Sequence, residues 1–127
     1  MAIVVGLVPN REGHAALDIA VQECLLRTTA LIVVPGPSAD PDGDDRDMLD
    51  GARSRLTRAG LDLTVRVGSG HHEIAEDLIE VATDENADLI VIGLRRRTPI
   101  GKLILGSNAQ RILLDAPCPV IAVKADG

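Results

Sequence analysis

Five residues near the end of this chain have the types and spacing to hold an anion: Gly93, Gly106, Ser107, Asn108 and Gln110. A buried-looking run, Asp88-Leu-Ile-Val-Ile-Gly93, leads into a loop and then a helix start at Gly106-Ser107-Asn108. The first N–H groups of a helix have no partners inside it, and the helix dipole favours negative charge there, so phosphate is a natural guest. Ser107 followed by Gln110 fits a capping box, with the hydroxyl on the N3 amide and the Gln110 side chain reaching back. Gly106 lets the backbone turn without a Cβ. Arg95, Arg96, Arg97 and Lys102 place four cations within eight residues of the loop. The plainer alternative, a solvated basic loop before an ordinary capped helix, fits the same local pattern.

Other chemistries fail on the residues. A Walker A loop needs Gly at the position of Arg96 and Ser or Thr at that of Leu103. Gly6-Leu-Val-Pro-Asn10 lacks the dinucleotide fingerprint, and no nucleophile elbow is present. His71-His72 has no third ligand nearby and reads as two exposed side chains at a helix start. The acidic stretch Asp40–Asp45 lacks the 12-residue calcium pattern and reads as a solvated loop. Cys24 and Cys118 have no metal spacing and read as small buried hydrophobes.

The elements that must position the loop follow from periodicity. Strands are expected at Ala2–Val8, Leu31–Val34, Leu61–Val67, Leu89–Ile92 and Pro119–Val123. Helices are expected from Asn10 or Glu12 to Arg27, from Asp44 to Ala59 with Gly60 at C′, from Ser69-Gly70 to Thr83 or Asp84, and from Asn108 to Leu114. The alternating pattern of the third strand suggests either one less-buried face or a place at a sheet edge. This βα alternation over 127 residues means one α/β domain spanning 1–127, an open parallel sheet with helices on both faces and right-handed crossovers. Ligands in such sheets bind beyond the strand carboxyl ends where strand order reverses. If the first and fourth strands are neighbours there, Leu7-Val8-Pro9 and Gly93 face each other.

Composition narrows the ligand. There is no Phe, Trp or Tyr, so the core must be Val, Ile, Leu and Ala, and no stacking platform for single-stranded nucleic acid exists. Net charge is −6, yet residues 1–94 carry 7 basic and 17 acidic groups while residues 95–127 carry 6 and 2. A chain repelled by polyanions but locally positive suits a small anionic ligand better than a duplex. No apolar run approaches the length needed to span a bilayer and no signal peptide opens the chain, so a cytoplasmic protein is expected.

These residues resemble the universal stress protein family, whose pattern is Gly-x-x-Gly, nine residues, then Gly-Ser or Gly-Thr. Gly93, Gly106 and Ser107 match it, as do the flanking Asp88-Leu-Ile-Val-Ile-Gly93, Ala116-Pro-Cys-Pro-Val-Ile-Ala-Val123, Val4-Val-Gly6 and Glu12-Gly-His-Ala-Ala-Leu17. The resemblance implies a five-stranded Rossmann-like parallel sheet of order 3-2-1-4-5. It also implies a homodimer paired through Val120–Val123 and a bound adenine nucleotide (ATP, AMP or cyclic AMP), with Mg only alongside ATP. Backbone groups at Gly93, Gly106, Ser107 and Asn108 would surround ribose and phosphates. Arg95, Arg96 and Arg97 would lie beside them, and Val8, Val34 and Ile92 would complete the nucleotide site. Two positions depart from the family pattern. Arg96 replaces the second glycine, where its planar fork can itself bind phosphate. Val8 stands where a carboxylate usually reads the adenine edge, a contact worth roughly 1.5–3 kcal/mol. No general base or metal carboxylate is evident in the loop, so no enzyme is expected beyond very slow ATP hydrolysis. The alternatives are a dimeric interaction module of the same fold without nucleotide, and, more remotely, a related nucleotide hydrolase.

Overall fold

The computed structural model describes residues 1–70, 73–94 and 105–125. The cations Arg95, Arg96, Arg97 and Lys102, and the pair His71-His72, lie outside the described residues. Five strands and four helices alternate: β1 Ala2–Leu7, α1 Arg11–Arg27, β2 Ala30–Pro35, α2 Arg46–Arg58, β3 Leu63–Val65, α3 Ile74–Asp84, β4 Leu89–Leu94, α4 Ser107–Asp115 and β5 Val120–Lys124. The strands form one parallel sheet in the order β3-β2-β1-β4-β5. The expected fold class and strand order are therefore both present, and β3 is an edge strand.

Alternate residues of the central strands feed two aliphatic cores. Ile3, Val5, Leu7, Leu31, Val33 and Val91 face α1 and α2. Val4, Ile32, Val34, Ile90 and Ile92 face α3 and α4. Central parallel strands are covered on both sides, which is why they read as continuous β-branched runs. With no aromatic ring to fill space, small and branched side chains interlock, and Ala20, Val21 and Cys24 of α1 are fully buried.

Three elements begin two or more residues later than periodicity alone suggests, and local bonding explains each start. Leu61 was expected to open β3. Instead its N–H donates to Leu56 O and that of Gly60 to Thr57 O, while Gly60 takes φ +75. This Schellman arrangement ends α2 and uses up Leu61. α3 starts at Ile74, about a turn later than expected. Ser69 is held instead by Glu80, which accepts from its N–H at 2.9 Å and its hydroxyl at 2.6 Å. Gly70 has φ +86, outside helical geometry. For the later start of α2, at Arg46, the loop bond from Asp40 N–H to Asp45 Oδ2 at 2.8 Å occupies the residues before it.

Candidate functional site

The site is created where two neighbouring strands part. β1 pairs with β2 as far as Leu7–Pro35, and β4 pairs with β5 as far as Leu94–Lys124. β1 and β4 pair only through Val5–Val91. Beyond that point their ends diverge, on the border between the α1/α2 face and the α3/α4 face. A cleft of about 180 Å³ opens there. Its walls are the ends of β1 and β4, the first turns of α1 and α4, and Ile74 and Leu78 of α3.

The first turn of α1 reaches the cleft because Asn10 caps it. Asn10 Oδ1 accepts the Gly13 N–H at 2.8 Å, and the Asn10 N–H donates to Val8 O at 2.9 Å. Two glycines permit this close approach. A Cβ on Gly13 would stand 1.9 Å from Val8 O, and one on Gly93 would stand 2.2 Å from Glu12 O. Gly93, whose backbone the family resemblance sets beside ribose and phosphates, is thus required first by the passage of α1. The same packing brings the half-buried Glu12 side chain into the cleft wall.

At the opposite wall the capping box is not formed. Gly106, not Ser107, is the N-cap, at φ −71 and ψ 169, and no side chain caps α4. Ser107 is already helical and exposed, and Gln110 Nε2 donates to Leu105 O at 3.3 Å. A one-residue shift of the start removes Ser107 from the position where its hydroxyl could bond the N3 amide. Among the described residues, the amides of Ser107, Asn108 and Ala109 have no protein acceptor, and the first turn of α4 has no acidic residue. An uncapped helix start of this kind attracts anions.

Asn108 has a further role. Its Oδ1 accepts the Ala75 N–H at 3.2 Å, capping α3, whose own N-cap residue Glu73 makes no side-chain bond. Arg111 also bridges to Glu76 of α3 and to Asp115. The starts of α3 and α4 are therefore fastened to each other.

Of the expected site residues, Val8, Ile92, Gly93 and Asn108 line the cleft. Gly106 and Ser107 lead into α4 but do not line it, and Val34 is fully buried in the α3-side core. Arg95, Arg96 and Arg97 fall outside the described residues. Sequence reasoning missed Asn10, Glu12, Gly13 and Ile74. The Asn10-x-x-Gly13 spacing was a usable signal for a capped turn. Ile74 gave none beyond a core stripe. Among the described residues, no group of three or more His, Cys, Asp or Glu side chains could hold a metal.

Fold and cleft together define a doubly wound α/β protein with a crevice at its topological switch point, one wall of which is the uncapped start of α4. The universal stress protein family matches residues 1–124, and the chain belongs to that family. A universal stress protein of Mycolicibacterium smegmatis is 37% identical over 129 residues, covering 98% of each chain. A solved universal stress protein in complex with cAMP is 25% identical with TM-score 0.70, covering 99% of this chain and 98% of that one. One from Archaeoglobus fulgidus in complex with dAMP is 27% identical with TM-score 0.67, covering 98% of each.

Proposed function

We propose that this stress-family protein binds an adenine nucleotide in the β1/β4 crevice, with phosphate on the α4 amides. The observation that carries the reading is the uncapped start of α4, free of acidic side chains, in a crevice of a fold whose relatives are solved with cAMP and dAMP. The loop cations Arg95, Arg96, Arg97 and Lys102 would add charge, and Arg96 would supply a two-pronged contact. Val8, Ile92, Gly93, Gly106, Ser107 and Asn108 make up the rest of the proposed site, and Val34 joins it only if the cleft opens further. ATP, AMP and cyclic AMP all fit this chemistry, with Mg accompanying ATP. The protein acts as a binding protein in the cytoplasm, with at most slow hydrolysis. Among the described residues, no helix is long and apolar enough to cross a membrane.

The test exploits the composition. With no Trp or Tyr, a desalted preparation should show a 260 nm band only if nucleotide co-purifies. A ligand at about 100 times its Kd adds about 2.7 kcal/mol to stability and raises the melting temperature. Arg96→Ala should weaken that shift. No band, and no shift with millimolar ATP, AMP or cyclic AMP, refutes the reading. It would favour a second one, an interaction module without nucleotide. Two observations lean that way: a cleft of about 180 Å³ is smaller than the ~300–1,000 Å³ usual for ligand sites, and the wall at Val8 is apolar.

A further inference from the structure

The small size of the cleft has an identifiable cause. Gly6 lies near the end of β1, and Gly36 follows β2, with its N–H donating to Leu7 O at 3.0 Å. Together they form a floor without side chains. Ile74 rests on that floor. A Cβ on Gly6 would stand 2.8 Å from Ile74 Cδ1, and one on Gly36 would stand 3.1 Å from the same atom. One methyl group therefore covers both glycines; Gly6 and Ile74 line the cleft, and Gly36 lies behind Ile74 outside its lining.

The placement of Ile74 is held from behind. It is the first residue of α3, and the next amide, Ala75 N–H, is bonded to Asn108 Oδ1. Asn108 belongs to the first turn of α4, whose amides have no protein acceptor among the described residues. The cleft thus has a polar end at α4 and an apolar end over the two glycines. A mononucleotide has the same polarity, with phosphate at one end and a flat apolar-faced base at the other.

We propose that Ile74 is the specificity-determining residue of this cleft. Its side chain occupies the slot over Gly6 and Gly36 where a nucleobase would lie, and Asn108 positions it there. This rests on the nucleotide reading above. As it stands, the cleft accepts the phosphate-bearing end of a nucleotide more readily than the base. A base enters only when Ile74 is displaced, so AMP binds with reduced affinity. A ligand that must first shift a packed side chain is penalised, whereas one that avoids it is not.

The experiment compares wild type, Ile74→Val and Ile74→Ala by calorimetric titration with AMP and with ribose 5-phosphate, which lacks the base. Circular dichroism melting confirms that each variant is folded, and Ile74→Val supplies a milder step should Ile74→Ala unfold. The expected result is tighter AMP binding in the order Ala, Val, wild type, by about tenfold or more for Ile74→Ala, with ribose 5-phosphate unchanged. AMP binding that appears only in Ile74→Ala supports the role of Ile74 but overturns nucleotide binding by the native chain. AMP binding of the same strength in all three proteins overturns the role of Ile74 but leaves the nucleotide reading standing. AMP that binds no better than ribose 5-phosphate in every protein, or no binding of either, overturns both.

Discussion

At the scale of single residues, burial decides chemistry. Cys24 is fully buried, its thiol donates to Ala30 O at 3.5 Å, and burial pushes its pKa up to about 12, with Glu23 adding to the effect. Cys118 is half-buried, and its pKa is raised by burial and then by Asp88. Both therefore stay protonated in the fold at pH values where an unfolded thiol, near 9, has begun to ionise. The unfolded chain then binds fewer protons, so stability falls as pH rises above about 9, by up to about 1.4 kcal/mol per pH unit for Cys24. The chain has no Tyr and only two lysines, Lys102 and Lys124, so few other groups titrate in this window. Urea unfolding between pH 8 and 10.5 should show the midpoint decline, and a flat profile refutes the assignment. Residue scale also governs how the cleft is probed. Gly93 lies against Glu12 O, so loss of binding in a Gly93 variant would report displaced α1 packing as much as lost phosphate contact.

At the scale of elements, helix ends carry the strain and the function. α2 and α3 both finish with a left-handed residue suited to the task, Gly60 at φ +75 and Asn86 at φ +50. Asn86 and Ala87 N–H groups close α3 onto Thr83 O and Ala82 O. α1 ends instead on Thr28 at φ 53, with its N–H on Cys24 O. A β-branched residue is costly in that region. Thr28→Gly should therefore stabilise the protein by about 0.5–1 kcal/mol in urea unfolding. An unchanged or lowered midpoint would mean that the strain is already relieved elsewhere. The start of α4 shows the reverse situation. Its uncapped first turn forgoes a capping bond typically worth about 1 kcal/mol, and leaves its amides available to a ligand.

At the scale of the whole molecule, the two edges of the sheet differ. β3 has three residues, while β5 has five, and Val120, Ile121 and Val123 are only half-buried. Leu113 and Leu114 of α4 are 44% and 82% exposed. An uncovered edge strand is a template for pairing, and we propose that β5 pairs with β5 of a second copy to make a homodimer. Light scattering at tens of micromolar should give twice the chain mass. The double change Ala122→Lys with Leu114→Glu, both on exposed positions, should return it to a monomer. A monomeric wild type refutes the dimer.

The β-branched runs at Ile3–Val5 and Leu31–Val34, the stripe Ala16-Ala20-Cys24 and the turn residue Gly60 were enough to establish alternating strands and helices. They sufficed because local periodicity and the burial of both sheet faces impose the same pattern. The Gly93…Gly106-Ser107 spacing likewise marked the helix start that borders the cleft. Other features depend on contacts between residues distant in the chain, and no local pattern encodes these. Glu12 enters the cleft because α1 crosses Gly93, and Asn108 caps α3 instead of its own helix. Ser107 is displaced from the cap by a single residue of register. The chain alone determined that a helix start free of acidic residues follows the fourth strand. Tertiary packing decided how much room lies beside it, because the volume left over Gly6 and Gly36 depends on where the first residue of a different helix comes to rest.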